Sequence, residues 1–502
     1  MQKDLDIASS SILHIGDNLD SDVKMAKKVG WQSCHFPKAV DRFMNHVPEL
    51  YGGETYQILF EGPFALRDGY QYTRYWGWRT LLAVVANRIF SNPYTEFKKD
   101  TDFNADPSVL GYYALGMHMF AVAKWLSDEV EKNNYQNLNF MARDGYLPME
   151  CFKIMNEVYH PNVKMHYLYL TRSVVVPLQI KNAYDLYGLL TNVNIFSQSP
   201  KTILAMLDAI LLDEISANPE HYCKVSGFVY ETKFLTIESF YAFVQRLQEK
   251  GIDTNKRQQY VKKIERYLSD SFTGASATFD VGYSCRVESV LKNTFNFDVS
   301  PYYLHINNDI PFSRIWKNNI HVHTFYAYSP GVTGVLRELL ISALEPSCKS
   351  LEIQDGKVTP LFKEFNLLYV EKYVVRNTQK SAMSFVKDVV SIFGDDIRYL
   401  SYQRGDISLP FEYFLSSAKM SDRQIFAYGE FEDDLSLGKK ISTFDYWNGQ
   451  IENVSKGING TNDLSLRWID SKWKRAICLY FINRDYLKYK VKTRFSHHPT
   501  FL

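Results

Sequence analysis

Three short apolar segments, each stopped by a charged or glycine turn and followed by a helix-length run, constrain this chain more than any other feature. Leu138 to Ala142 reads as a strand, Arg143-Asp144-Gly145-Tyr146 as a turn, and Leu147 to Val158 as a helix with Pro148 in its first turn, where proline is tolerated. Met165 to Leu170 is a second strand, ended by Thr171-Arg172-Ser173. Ala277 to Val281 is a third, followed by Gly282-Tyr283-Ser284-Cys285-Arg286 and a helix from Val287 to Asn293. Pro301 to Ile306 and Val322 to Ala327 read as further strands, and helical patterns fill Thr202 to Tyr267. This alternation predicts an α/β fold with a mostly parallel sheet and helices on both faces. Ligands in such sheets bind beyond the carboxyl ends of the strands.

The three strand ends collect the residues able to do chemistry. A glycine turn between strand and helix exposes backbone N–H groups, and the helix start adds partial positive charge, so the first and third turns are candidate phosphate cradles through Gly145, Gly282, Tyr283 and Ser284. Arg143, Arg172 and Arg286 supply planar forks that grip phosphate oxygens in pairs. Asp144 and Asp280 are the matching catalytic acids, as metal, hydroxyl or base partners. Each element has a plainer reading as well: Arg-Asp-Gly is a common turn that recurs at Arg67-Asp68-Gly69, and Asp280 could simply cap its own turn. Glu338 is charged inside an apolar helical run, which pairing or exposure explains as well as function does. His321 and His323 share a strand face without an evident third metal ligand.

At 502 residues the chain should hold two to four domains. Its 57 Lys and Arg nearly cancel its 56 Asp and Glu, so net charge argues neither for a nucleic-acid nor for an acidic surface partner; no nucleic-acid partner is expected, and any phosphate binding must be local. Six scattered cysteines without CxxC spacing fit a reducing cytosol and give no zinc site. The apolar run from Thr80 to Ala86 is far short of the roughly 20 residues a membrane span needs. A buried helix is expected from Leu110 to Val130, where Gly111, Ala114 and Gly116 interrupt the apolar pattern; another runs from Trp76 to Phe90 after a Gly-, Pro- and Tyr-rich connector.

The amino-terminal segment from Ile12 to Asp22 has an apolar strand ending in Gly16-Asp17, with Asp17 and Asp22 at the strand's carboxyl edge and a helix running back toward Gly30. Carboxylates so placed can hold Mg²⁺, which takes oxygen ligands in an octahedral shell. The segment resembles the fourth motif of the haloacid dehalogenase superfamily, which implies that Asp17 and Asp22 are metal-side acids. That superfamily also uses an aspartate nucleophile and a lysine located before this motif, and the expectation for residues 1–45 is a partial phosphatase domain without turnover of its own.

Together with Phe140 to Ile154, the Thr171 turn and Phe279 to Leu291, this motif resembles a family of bacterial surface-polysaccharide proteins described as predicted haloacid dehalogenase hydrolases. The resemblance runs from residue 12 to about 350 and less clearly beyond, to Trp468 to Arg475. It implies a two-domain ribofuranosyltransferase, in which one domain moves 5-phosphoribose from phosphoribosyl diphosphate to a glycan and a phosphatase removes the 5-phosphate. The Arg143-Asp144-Gly145 and Asp280-to-Ser284 turns would then belong to a Mg²⁺-dependent glycosyltransferase of capsule or O-antigen assembly.

The expected partners are a phosphorylated sugar donor and a glycan acceptor, lipid-linked acceptors included. The expected domains are 1–45, a connector at 46–108, an α/β transferase domain at 109–350 and a mixed helical region at 351–502, with acceptor binding or a membrane-proximal place as its role. Two other readings stay open: a sugar-phosphate phosphatase, and a non-catalytic scaffold. The expected location is the cytoplasm, with Trp468, Lys472, Trp473, Lys474 and Arg475 as a peripheral anchor at the inner membrane face.

Overall fold

The computed structural model describes residues 6–46, 69–159, 162–180, 198–282, 284–306, 318–327, 330, 334–364, 366–432 and 440–455. Near the amino terminus, strands β1 (Leu13–Gly16) and β2 (Gln32–His35) pair in parallel, Leu13 opposite Gln32 and Gly16 opposite His35. Helix α1 (Ala39–His46) docks this unit onto α2 (Gly69–Phe90). Phe43, 1% exposed, meets the rings of Phe90 and Tyr113, and the Arg42 guanidinium donates to the Phe90 carbonyl at 2.8 Å. Helix α2 starts at Gly69, inside the segment read from sequence as connector.

A long buried helix follows in three contiguous parts, Pro107–Val109, the π-helical Leu110–Leu115 and α3 (Gly116–Asn133). The Asp106 side chain caps it by accepting from the Ser108 N–H at 2.7 Å. The sheet and its crossovers come next: β3 (Asn137–Met141), α4 (Tyr146–Tyr159), β4 (Lys164–Leu168) and α5 (Arg172–Gln179). An insertion containing α6 (Pro200–Leu207), α7 (Ile237–Lys250) and α8 (Thr254–Leu268) intervenes before β5 (Ser276–Asp280), α9 (Arg286–Phe295), β6 (Val299–Tyr303) and β7 (His323–Thr324). All five strands are parallel, in the order β4-β3-β5-β6-β7, with Met141 opposite Leu168, Phe140 opposite Phe279 and Asp280 opposite Tyr303.

The chain leaves β3 to one side and later returns on the other, so the strand order reverses between β3 and β5. In doubly wound sheets that reversal opens a crevice outside the carboxyl ends of the two strands.

After the sheet come α10 (Val335–Ile341), the hairpin β8 (Cys348–Gln354) and β9 (Lys357–Phe362), α11 (Arg376–Phe393), α12 (Leu409–Ser417) and α13 (Thr443–Ser455). The main core runs from Phe43 through Leu138, Phe140 and Phe279 to Phe385, Phe411 and Trp447, so helices after residue 366 are built into the same interior as the sheet. Gly111 lies against the Thr378 backbone and Gly116 against the Phe385 side chain, where the absence of a Cβ lets the two longest buried helices approach closely. A second core joins the insertion, through Ile203, Phe243 and Ile264, to Leu168 and Leu351. Among the described residues no helix is long and apolar enough to cross a membrane. Arg67, Asp68 and the segment from Trp468 to Arg475 lie outside the described residues.

Candidate functional site at the strand reversal

Asp144, in the turn after β3, and Asp280, the last residue of β5, meet where the strand order reverses. The Asp280 carboxyl is held well above its ordinary 3.8, by desolvation first and then by the charges of Asp144, Glu288 and Glu338; the Gly282 N–H, donating to Oδ1 at 3.3 Å, pulls the other way. Asp280 therefore does cap its own turn, and it also faces other carboxylates. Glu288 is 1% exposed and accepts from the Thr278 hydroxyl at 2.9 Å and the Tyr303 hydroxyl at 2.5 Å. Burial raises it too. A group of carboxylates sharing a partly dry crevice stabilises whatever positive charge enters it, a proton or a metal ion.

The turn chemistry differs from a phosphate cradle on the β3 side. The Gly145 N–H donates to the Met141 carbonyl at 2.7 Å and the Tyr146 N–H to the Arg143 carbonyl at 3.1 Å, so both donors are already used. Gly145 is needed for closeness instead: a Cβ there would lie 2.8 Å from the Met141 oxygen and 2.9 Å from the Phe140 Cβ. Arg143 is half-buried, and the Ala142–Arg143 peptide is cis. On the β5 side, Ser284 and Arg286 are half-buried and Cys285, at φ +50°, leads into α9; Tyr283 lies outside the described residues.

Arg172 is the exposed first residue of α5, beyond edge strand β4. The Ala142 N–H donates to the Leu168 carbonyl at 2.9 Å, which puts the Arg172 turn next to the Arg143 turn, with Asp280 on the far side of β3. The three turns thus share one edge of the sheet, in the order Arg172, Arg143-Asp144, Asp280.

A strap that the sequence reading passed over ties this edge together. Ser342 Oγ donates to Asp144 Oδ1 at 2.5 Å across 198 residues of chain, and the Ala343 N–H donates to the Arg143 carbonyl at 3.0 Å. Three residues on, Glu345 accepts from Tyr167 and Tyr169. The Cys348 carbonyl accepts from the Thr171 and Ser173 hydroxyls at 3.0 and 3.3 Å. Residues 342–348 have no periodicity to mark them; the one nearby signal is Glu338, four residues before them in α10. The histidine pair builds no metal site, since the His323 ring stacks on Tyr302 at 4.6 Å between centroids.

In the amino-terminal unit the two acids are engaged locally. Asp17 Oδ2 pairs with Lys38 Nζ at 2.9 Å, which lowers its pKa. Asp22 accepts from the Asn18 N–H at 2.9 Å and from Ser21 Oγ at 3.2 Å, with His14 Nε2 at 3.2 Å; it sits directly under Gly16, whose added Cβ would come 2.3 Å from Asp22 Oδ2. A strand, a Gly-Asp turn and a second acid folded back beneath the glycine are now all in place. Residues 1–40 match the HAD-hydrolase-like family. No curated protein matches the chain.

Within this HAD-like segment, Asp17 is paired through Oδ2 with Lys38, and Asp22 with donors of its own turn and His14. Among the described residues no group of three or more His, Cys, Asp and Glu is arranged to hold a metal ion. Asp144, beside Asp280 at the reversal, is where a Mg²⁺ that completes its shell with water and substrate phosphates would meet shared negative charge.

Proposed function

We propose that the carboxyl edge of the sheet transfers a phosphorylated sugar from a diphosphate donor to a glycan hydroxyl, most concretely 5-phosphoribose from phosphoribosyl diphosphate during capsule or O-antigen assembly. The observation that carries this reading is the meeting of Asp144 and Asp280 at the strand reversal, with Glu288 and Glu338 adding negative charge. Asp144 would hold Mg²⁺, which when bound offsets the charge of the diphosphate leaving group. Arg143, Arg172 and Arg286 bind phosphate oxygens. The bond from the anomeric carbon to diphosphate breaks, the bond to the acceptor oxygen forms, and the acceptor proton passes to the Asp280 carboxylate at the end of β5.

The test is Mg²⁺-dependent release of diphosphate from phosphoribosyl diphosphate with an oligosaccharide acceptor. Asp280→Ala and Arg143→Ala should each abolish it, and an unchanged rate in both variants rejects the site. The HAD-like match supports a second reading, a sugar-phosphate phosphatase. Hydrolysis of p-nitrophenyl phosphate that is lost in Asp17→Asn and indifferent to Asp280→Ala would favour it.

A further inference from the structure

Next to the Arg143-Asp144 turn, on the side away from Asp280, lies a second group of polar side chains that the transfer chemistry does not use. Tyr167 donates its hydroxyl to Glu345 Oε1 at 2.8 Å, and Tyr169 donates to Oε2 at 3.2 Å. The Tyr167 hydroxyl also lies 3.4 Å from the Arg143 carbonyl oxygen, so this group adjoins the reaction edge. The two tyrosine rings stand edge to face at 5.4 Å and 82°, and the Tyr169 ring packs in the same manner on Phe362 at 5.2 Å and 78°. All three residues are half-buried, neither sealed in the core nor freely solvated.

We propose that Glu345, Tyr167 and Tyr169 form the saccharide subsite that holds the glycan acceptor. The inference rests on the transferase reading above and assigns its second substrate a place. A carboxylate has about four lone-pair directions, and the two phenols fix the Glu345 carboxylate in one orientation while using only one contact per oxygen. The directions left over accept hydrogen bonds from hydroxyl groups. Burial and the Glu345 charge keep both phenols protonated, so they remain donors. Their rings supply rigid apolar surface at low entropic cost, which suits the carbon face of a sugar ring.

The subsite lies on β4 and its end, beside the turns that carry Arg143 and Arg172, so a glycan held there adjoins the donor's phosphates. The Ser342 strap sets the spacing, because it fixes Asp144 by its hydroxyl and carries Glu345 three residues later.

The experiment uses the full chain with three probes, methyl β-D-glucopyranoside, methyl β-D-galactopyranoside and methyl β-D-ribofuranoside, followed by saturation-transfer NMR. Phosphoribosyl diphosphate with Mg²⁺ is followed in parallel by thermal shift. At least one glycoside should bind, and Glu345→Gln should weaken it about tenfold or more, the range for a hydrogen bond to a charged group. Tyr169→Phe, which keeps the ring and the packing on Phe362, should weaken it about threefold through a less well-held carboxylate. Neither variant should change the donor-induced shift. Binding that is equal in wild type and both variants overturns the subsite, as does donor binding with no glycoside binding, and in the latter case the transferase reading stands. Glycoside binding that depends on Glu345 without any donor shift supports the subsite and sinks the transferase reading.

Discussion

Replacing Gly111 by alanine tests whether the contact between the two longest buried helices holds the fold together. The new methyl would lie 2.1 Å from the Thr378 carbonyl oxygen and 2.8 Å from its carbonyl carbon and Cα. Carbon and oxygen normally approach no closer than about 3.3 Å, so the helices must separate by roughly 1 Å. These are backbone atoms in helix interiors and cannot rotate away. A gap of about 0.5–1 Å forfeits a quarter to a half of the dispersion energy of every contact along it, and overpacking of this kind costs about 1–3 kcal/mol. We expect the upper end, because the Phe385 contact at Gly116 lies on the same interface. For a chain of this size that amounts to a fall in Tm of about 2–3 °C. Differential scanning fluorimetry measures it, with Gly449→Ala as control: its added methyl meets nothing within 4 Å in α13, and alanine there should hold or raise Tm. A Gly111→Ala protein within about 1 °C of wild type would refute the close-packing argument.

Two further outcomes follow from the charges. Because the folded Asp280 pKa lies above its ordinary 3.8, the native state holds that proton more tightly than the unfolded chain, and the stability this brings is lost as pH rises through the folded value. Asp280→Asn should therefore raise Tm at pH 8 while removing the proposed transfer, and the gain should shrink on acidification toward pH 4; a gain that grows with acid would reverse the assignment. Arg337, 0% exposed and paired fork to fork with Glu412 at 2.7 Å, should cost about 3–5 kcal/mol when changed to Met. Much of that should return in Arg337→Met with Glu412→Gln, as read by denaturant titration of both.

The strands of the sheet were legible because each is a short apolar run with a turn at its end. Leu138 to Ala142 and Ala277 to Val281 lie within one residue of the observed β3 and β5 at either end. Pro148 marked the first turn of α4, and Gly111 with Gly116 marked a helix that something must approach closely. Sheet order was not legible, since nothing local says that β5 inserts beside β3 after so long an insertion. For the same reason the sequence could nominate Asp144 and Asp280 as strand-end acids without showing that they are neighbours. Glu345 escaped notice altogether, because its meaning comes from tyrosines 178 and 176 residues earlier. The N–H groups of Gly145 and Tyr146 misled in the opposite direction: a glycine turn looks open in sequence and is closed by its own carbonyls in space.

The strap from Ser342 to Cys348 also ties the order of this edge to a late stretch of the chain. During synthesis the turns after β3, β4 and β5 leave the ribosome well before the segment that pins Asp144, and α11 and α12, which complete the core, come later still. Until then Asp144 lacks the Ser342 hydroxyl that holds it. The edge of the sheet consequently gains its fixed arrangement only once residues 342–348 have been made and can reach the β3 turn.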